Sequence, residues 1–339
     1  MKITNIKTIE LFAGAGGLAL GLEKAGIKVL ALNDFDKSAI DTLKINRPNW
    51  NVIDENIEKI TETDNLNDFF KIKNHKIDLI TGGFPCQPFS FAGKKLGTKD
   101  KRGNLYKYFG NIVNHYQPKI FMAENVYGLL TIEKGQAFQK IKKYFEDLGY
   151  KIFYQILNAN DYKVAQKRKR LFIVGVEKSF YQIKGVFIFP EPKKKKLVLK
   201  NVLKNVPTSL GVKYNEKKRK ILEMIPPGGC WRNLPTNIAK NYLMKSYYLG
   251  GGKTGIARRL SYSEPCLTLT TSPFQKQTER CHPEFTRPFT VREYARIQSF
   301  PDSWKFSGSI MKQYKQIGNA VPVNLAYYMG LAIVEYFKK

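Results

Sequence analysis

Cys86 stands in Gly82-Gly83-Phe84-Pro85-Cys86-Gln87-Pro88, a thiol in a loop framed by glycine and proline directly after an apolar run. A single cysteine is ordinarily a small buried packing residue. This one is followed by Ser90, Lys94, Lys95, Lys99, Lys101 and Arg102, and neighbouring cations lower a thiol pKa toward the reactive thiolate. Such a setting suits a nucleophile that faces an anionic substrate. Glu124-Asn125, in Met-Ala-Glu-Asn-Val, closes another apolar run and places a carboxyl where it could join the same crevice. Gln166-Lys167-Arg168-Lys169-Arg170 leads into a later run. Alternate arginines entering a strand point to one face, which fits contacts to a phosphate or a base. Taken alone, the stretch reads equally well as a basic surface loop.

A glycine-rich turn supplies a second kind of site. Phe12-Ala13-Gly14-Ala15-Gly16-Gly17 follows the first apolar run and opens a helical pattern. Glycines there let backbone approach a nucleotide at a helix N-terminus, although a tight turn alone would also use them. Asn33-Asp34-Phe35 ends the second run. An acidic residue about twenty positions after the glycines is suited to ribose hydroxyls. The third-glycine phosphate pattern is missing, so a nucleoside-type cofactor fits better than a dinucleotide.

The elements that must position these residues form an α/β pattern. Thr8–Phe12, Lys28–Asn33, Asp78–Gly83, Ile120–Asn125, Ile152–Ala159 and Leu171–Val176 read as strands, with amphipathic stretches such as Gly135–Leu148 between them. Alternation of this kind predicts a mostly parallel sheet covered by helices, with ligands beyond the carboxyl ends of the strands. After Val176 the texture changes. Lys193–Lys196 reads as a boundary loop, and Pro-Pro-Gly-Gly and Leu-Gly-Gly-Gly-Lys-Thr-Gly punctuation continues to about Arg287. The predicted division is therefore a first domain over residues 1–180 and a smaller loop-rich domain over 181–287. A segment over 288–339 then returns to the first. Thr290–Gln298 reads as a helix, and Val323–Phe337 as an apolar helix opened by Pro322, where proline is favoured.

Composition narrows the classes. Of 339 residues, 43% are hydrophobic and 13% aromatic, which excludes global disorder. No run of eighteen apolar residues occurs, so no membrane span is expected. The apolar residues near the N-terminus give way to glycines without an export-type cleavage site, and a soluble, cytoplasmic protein is expected. Cys86, Cys230, Cys266 and Cys281 form no CxxC pair and only three histidines accompany them, so neither a metal site nor a disulfide framework is expected. The formal charge of +29 fits a polyanionic partner, most simply nucleic acid, or else a lysine-rich solvated surface.

In this order the motifs resemble those of the DNA cytosine-5 methyltransferase family, and the match covers nearly the whole chain. They are FAGAGG, Asp34, GGFPCQPFS, DKRGNL, AENV, NANDYKVAQKRKR, RPFTVREYARIQSFP and QIGNAVP. The resemblance is close to bacterial modification enzymes of restriction-modification systems. It implies a Rossmann-like methyltransferase domain dependent on S-adenosylmethionine, with a target-recognition domain in the variable stretch. It further implies that Phe12, Gly14, Gly16 and Gly17 shape the cofactor pocket, with Asp34 on the ribose and Phe35 against the adenine. Asn56, Ile57, Pro85 and Asn319 complete the cofactor side. Cys86 is implied as the nucleophile at cytosine C6, Glu124 as the group at N3, and Arg168 and Arg170 as supports of base and nucleophile. No metal is implied.

The implied partner is double-stranded DNA, with functional pairing to a restriction endonuclease of the same specificity and no stable protein partner. The target base must leave the stacked duplex, as methyltransferases require. Candidate DNA-contacting residues are Gln87, Ser90, Arg102, Arg258, Arg259 and Arg280, with Arg232, Lys253, Gln275 and Gln277 as further candidates for groove contacts. The chain departs from the common pattern at Asn56, where many members have Asp, and at Lys163 and Ala165, where Gly and Pro are common. An RNA cytosine methyltransferase and a catalytically inert nucleic-acid scaffold remain open at this point. The large variable region disfavours the first, and the presence together of Cys86, Glu124, Arg168 and Arg170 disfavours the second. A nicotinamide oxidoreductase would require a phosphate loop that FAGAGG does not supply.

Overall fold

A computed structural model of the chain describes residues 4–62, 65–72, 76–85, 105–249 and 255–339. Strands β1 (Lys7–Leu11), β2 (Lys28–Asp34), β3 (Val52–Asp54), β4 (Leu79–Gly82), β5 (Ile120–Val126) and β6 (Tyr150–Asn158) precede the two-residue β7 (Gln166–Lys167) and the long β8 (Lys169–Glu177). All but β7 join one sheet in the order β3-β2-β1-β4-β5-β8-β6. Neighbours from β3 to β5 pair parallel, whereas β8 runs antiparallel to both β5 and β6. The carboxyl ends of β1 to β5 therefore share one edge with the beginning of β8. That single reversed strand carries Arg170 into the crevice where the other strands end.

Six of the strands lie within two residues of the predicted ranges. β3 is the addition, and three residues are too short to carry a periodic signal. The central strands β1, β4, β5 and β8 are buried on both faces, as in sheets with helical crossovers. Ile9, Leu11, Phe121, Ala123, Leu171 and Ile173 enter one cluster, while Leu79, Ile120, Met122, Phe172, Val174 and Val176 enter the other.

Helices α1 (Gly17–Lys24) and α2 (Lys37–Asn46) follow β1 and β2. Next come α3 (Ile57–Thr61), α4 (Leu66–Phe69), α5 (Leu105–Tyr116), α6 (Gln136–Asp147) and, after β8, α7 (Lys178–Lys184). Ile57, Phe109 and Phe145 bring α3, α5 and α6 onto the first face, while Leu18, Leu22 and Phe180 bring α1 and α7 onto the second.

The chain beyond Lys184 holds α8 (Leu199–Val202), α9 (Glu216–Glu223), α10 (Thr236–Leu243) and the short strand β9 (Cys266–Leu267), which pairs parallel with β7. These helices are too short to show in the periodicity of a glycine- and proline-rich stretch. A separate core forms from Tyr214, Leu222, Ile225, Leu234, Ala239, Leu243, Ile256, Ala257 and Cys281. Phe187 and Leu199, by contrast, still pack with the clusters around the main sheet.

The last helices are α11 (Val291–Ile297), α12 (Ile310–Asn319) and α13 (Val323–Lys338). Among the described residues, 310–338 hold the one stretch long and apolar enough, by composition, to cross a membrane, and 67% of its most apolar window is buried in the fold. α13 lies on α1 so closely that a Cβ at Gly21 would stand 2.6 Å from the Val323 carbonyl oxygen. At the opposite edge of the sheet from the strand ends, a cavity of about 600 Å³ is lined by Thr4, Ala25, Asp78, Lys119, Phe337 and Lys338.

Candidate active site

The loop after β1 is built from left-handed backbone: φ is +55° at Phe12, +54° at Gly14 and +80° at Gly16. Its glycines do different work. A Cβ at Gly17 would stand 2.3 Å from the Val321 carbonyl oxygen, and one at Gly16 would stand 2.6 Å from Leu43 Cδ2. Both glycines therefore serve the packing of α1. Nothing lies within 4 Å of the Cβ position at Gly14, so that residue alone presents open space.

Asp34, at the end of β2, fixes this loop. Its Oδ2 accepts from the Gly14 N–H at 2.7 Å and its Oδ1 from the Asp36 N–H at 2.8 Å. Burial pushes its pKa up, against the lowering effect of those bonds. Buried Glu10, one strand position before Leu11, is pushed up further by burial and by the Asp34 charge. Phe35 next to it is 71% exposed, a large aromatic face left to solvent beside the open loop. Asn33 donates from Nδ2 to the Glu55 carbonyl at 2.8 Å and so holds β3's end against β2. There Asn56 caps α3, its Oδ1 accepting from the Glu58 N–H at 3.1 Å, with Ile57 buried behind it. Asn319 ends α12 and is exposed.

Glu124 occupies the end of β5, beside the loop after β4. A Cβ at Gly83 would lie 3.2 Å from Glu124 Oε2, so glycine lets the loop pass against the carboxylate. Asn125 donates from Nδ2 to the Phe84 carbonyl at 3.0 Å and accepts from the Val126 N–H at 2.9 Å. The chain is thereby held up to exposed Pro85. Cys86, Gln87, Ser90, Lys94, Lys95, Lys99, Lys101 and Arg102 lie outside the described residues, as does Lys253.

Phe172 stands opposite Glu124 on β8 and Arg170 opposite Val126, which puts Arg170 diagonally beside Glu124 on the same face. Arg170 Nε lies 2.9 Å from Glu124 Oε1, with both side chains nearly buried. Burial pushes the Glu124 carboxyl above its ordinary range, and the charges of Arg170 and Arg168 pull in the opposite direction. The arrangement suits a carboxyl that keeps a proton in reserve while holding a fixed direction.

Arg168 behaves differently from Arg170. It is buried, donating from Nη1 to the Leu269 carbonyl at 3.0 Å and from Nη2 to the Gly318 carbonyl at 2.8 Å. It clamps backbone and makes no bond to Glu124, so only one of the two arginines reaches the carboxylate.

The cysteines other than Cys86 are buried, with burial pushing the Cys266 thiol up to about 12 and the Cys281 thiol up to about 11. Both are inert packing thiols.

Three arginines expected to face DNA have partners within the fold. Arg258 bonds to the Gly228 carbonyl and to Glu264, Arg259 to the Leu222 carbonyl and Thr286, and Arg280 to the Glu279 and Thr268 carbonyls. Arg259 and Arg280 are buried and Arg258 nearly so. Their terminal nitrogens are engaged inside the fold, by loop carbonyls that need partners and by Glu264 and Thr286, while the buried Nε of each has no hydrogen-bond partner among the described residues. Arg232, Gln275 and Gln277 remain exposed.

Sequence reading missed buried Gln166 and Gln298. The available signal was a glutamine continuing the helical spacing of Val291, Tyr294 and Ala295, all of them buried.

A profile of the C-5 cytosine-specific DNA methylase family matches residues 6–335. The chain belongs to this family. It is 52% identical over 339 residues to the Type II methyltransferase M.Sau96I of Staphylococcus aureus, covering all of this chain and 78% of that one. Identity to the Type II methyltransferase M.PspPI of a Psychrobacter strain is 54% over 334 residues, or 96% of this chain and 78% of that one. Among solved structures, an Escherichia coli prophage protein described as a DNA modification methyltransferase superposes with a TM-score of 0.74. The two are 27% identical, with 99% of this chain and all of that one covered. The fold is that of methyltransferases, and the protein is a DNA cytosine-5 methyltransferase.

Proposed function

We propose that this methyltransferase takes its methyl group from S-adenosylmethionine. It modifies C5 of a flipped-out cytosine in a specific double-stranded DNA sequence, as the modification partner of a restriction endonuclease in the bacterial cytoplasm. The observation that carries this reading is the buried Glu124–Arg170 pair at the sheet edge, beside the Gly83–Pro85 loop that leads directly to Cys86. The open space at Gly14, the exposed ring of Phe35 and the carboxylate of Asp34 form a cradle that fits an adenosyl group. Asn56, Ile57, Pro85 and Asn319 would hold its other sides. Bound there, S-adenosylmethionine supplies an electrophilic methyl on a sulfonium.

The protein's residues then have to make C5 nucleophilic. The Cys86 thiolate forms a bond to C6 while Glu124 places a proton at N3, so the C5–C6 electron pair becomes available at C5. Once C5 carries the methyl group, loss of the C5 proton to water restores the C5–C6 double bond and expels Cys86 as thiolate, and the N3 proton returns to Glu124. A covalent route of this kind divides one hard step into easier ones, and the general acid is worth about 10²–10⁴-fold. Arg170 holds Glu124 in direction, while Arg168 fixes the backbone from which β8 begins. The unit around the Tyr214–Cys281 core would read the DNA, with residues 288–339 returning to the catalytic unit. Exposed Arg232, Gln275 and Gln277 would face the duplex, together with Gln87, Ser90 and Arg102.

Expression in a methylation-free bacterial host, followed by bisulfite sequencing of its DNA, tests the reading. Protection of cytosines in one recurring motif, lost in Cys86→Ser while duplex binding persists, is expected. Full conversion with soluble wild-type protein would overturn it and turn attention to transfer RNA.

A further inference from the structure

Three segments far apart in the chain meet in a polar knot with almost no exposure. The Leu269 N–H donates to Gln166 Oε1 at 2.9 Å, and Gln166 Nε2 donates to Gln298 Oε1 at 2.8 Å. Gln298 Nε2 then donates to the Ile317 carbonyl at 2.7 Å and to the Ala320 carbonyl at 3.2 Å. Arg168 closes the ring from the other side, between the Leu269 and Gly318 carbonyls. Gln166 and Gln298 are 0% exposed and Arg168 1%, so water cannot replace a broken link. A Cβ at Gly318 would stand 2.2 Å from the Thr270 carbonyl oxygen, which shows how closely the two backbones approach.

The ends of this relay have functional neighbours. Leu269 follows β9, between the Ala257 and Cys281 that enter the second core, and the 318–320 segment carries exposed Asn319. Gln166 lies four residues before Arg170, the partner of Glu124. An amide in such a chain accepts at one end and donates at the other, so each bond fixes the orientation of the next. A displacement of the 266–270 segment must carry the 318–320 segment with it or leave buried donors and acceptors unpaired.

We propose that Gln298, acting through Gln166, is a positioning residue that ties the DNA-reading unit to the donor side of the pocket and couples DNA binding to donor binding. The inference rests on the cofactor and DNA reading above. Coupling between two sites is reciprocal in binding free energy and typically about 5–150-fold.

The test measures the affinity of the full chain for a duplex carrying the protected motif, with and without S-adenosylhomocysteine. Wild-type protein should bind the duplex about tenfold more tightly with the analogue present. Gln298→Met should reduce that ratio to near unity and raise KM for the methyl donor, with circular dichroism confirming a folded chain. Gln166→Met should do the same, and Gln298→Glu serves if the methionine variants do not fold. A merely structural role would lower the melting temperature and leave the ratio intact; that result in a folded variant overturns the proposal, as does a wild-type ratio of one. Wild-type protein that binds neither ligand would defeat the cofactor and DNA reading itself, and the inference with it.

Discussion

Glu124 is held between opposing influences. Burial favours its protonated form and the neighbouring arginines favour the carboxylate, with burial the stronger. Because the folded-state pKa is raised, the acid form persists to higher pH than in a free carboxyl. It is lost as pH rises through that value. Methyl transfer should therefore decline on the alkaline side, and Glu124→Gln should lower kcat by about 10²–10⁴-fold and remove that limb. A kcat–pH profile of both proteins checks this.

The glycine loop separates packing from binding just as sharply. Gly14→Ala places its methyl in open space but keeps a left-handed φ, a strain of about 1–2 kcal/mol. Gly17→Ala drives a methyl into a carbonyl oxygen and should cost about 2–3 kcal/mol. Urea unfolding combined with titration of a donor analogue should show Gly14→Ala losing affinity more than stability, and Gly17→Ala the reverse. Spacing alone could not tell these glycines apart, since Val321 lies some three hundred residues away in the chain.

At the scale of elements, what was legible and what was not follow from length. The strands that run both-faces-buried announce themselves as apolar runs, and the crevice at their ends follows from their parallel order. β3, α8, α9 and α10 did not show, because a few residues do not fill a period. The reversed direction of β8 was also hidden, since direction is not written in a strand's composition. It explains why the arginines stand at a strand's start while Glu124 stands at a strand's end.

Lys163, where the motif resemblance leads one to expect glycine, holds the left-handed geometry that glycine would serve. Its φ is +57°, and its carbonyl accepts from Asn324 Nδ2 at 2.8 Å. Lys163→Gly should relieve that strain and raise stability by about 0.5–1 kcal/mol, after the entropy glycine adds to the unfolded chain. The denaturation midpoint, with unchanged slope, measures it.

For the whole molecule, the charge of +29 makes phosphate neutralisation the leading contribution to DNA affinity. The logarithm of the binding constant should fall linearly with the logarithm of salt concentration, with a slope near −5 or steeper if about six phosphates are contacted. A titration series across salt concentrations measures the slope, and a value near zero would detach the charge from DNA binding. Charge and motif order made the substrate class readable, yet which arginines face outward was not. Arg258, Arg259 and Arg280 look like Arg232 in a sequence, and it is the carbonyls, Glu264 and Thr286 that hold them inside.

The cavity shared by Thr4 and Lys338 bears on how the chain can be threaded. Thr4 and Lys338 line this one cavity, at the far edge of the sheet from the chemistry, and α1 and α13 lock together nearby through glycine contacts. Circular permutation succeeds where ends are close and the new opening falls in an exposed loop. With those ends joined and the chain reopened among Lys193–Lys196, a permutant would deliver the loop-rich unit before the glycine loop and the strands of the main sheet, and folding of that permutant would show that the two units do not depend on their order of synthesis.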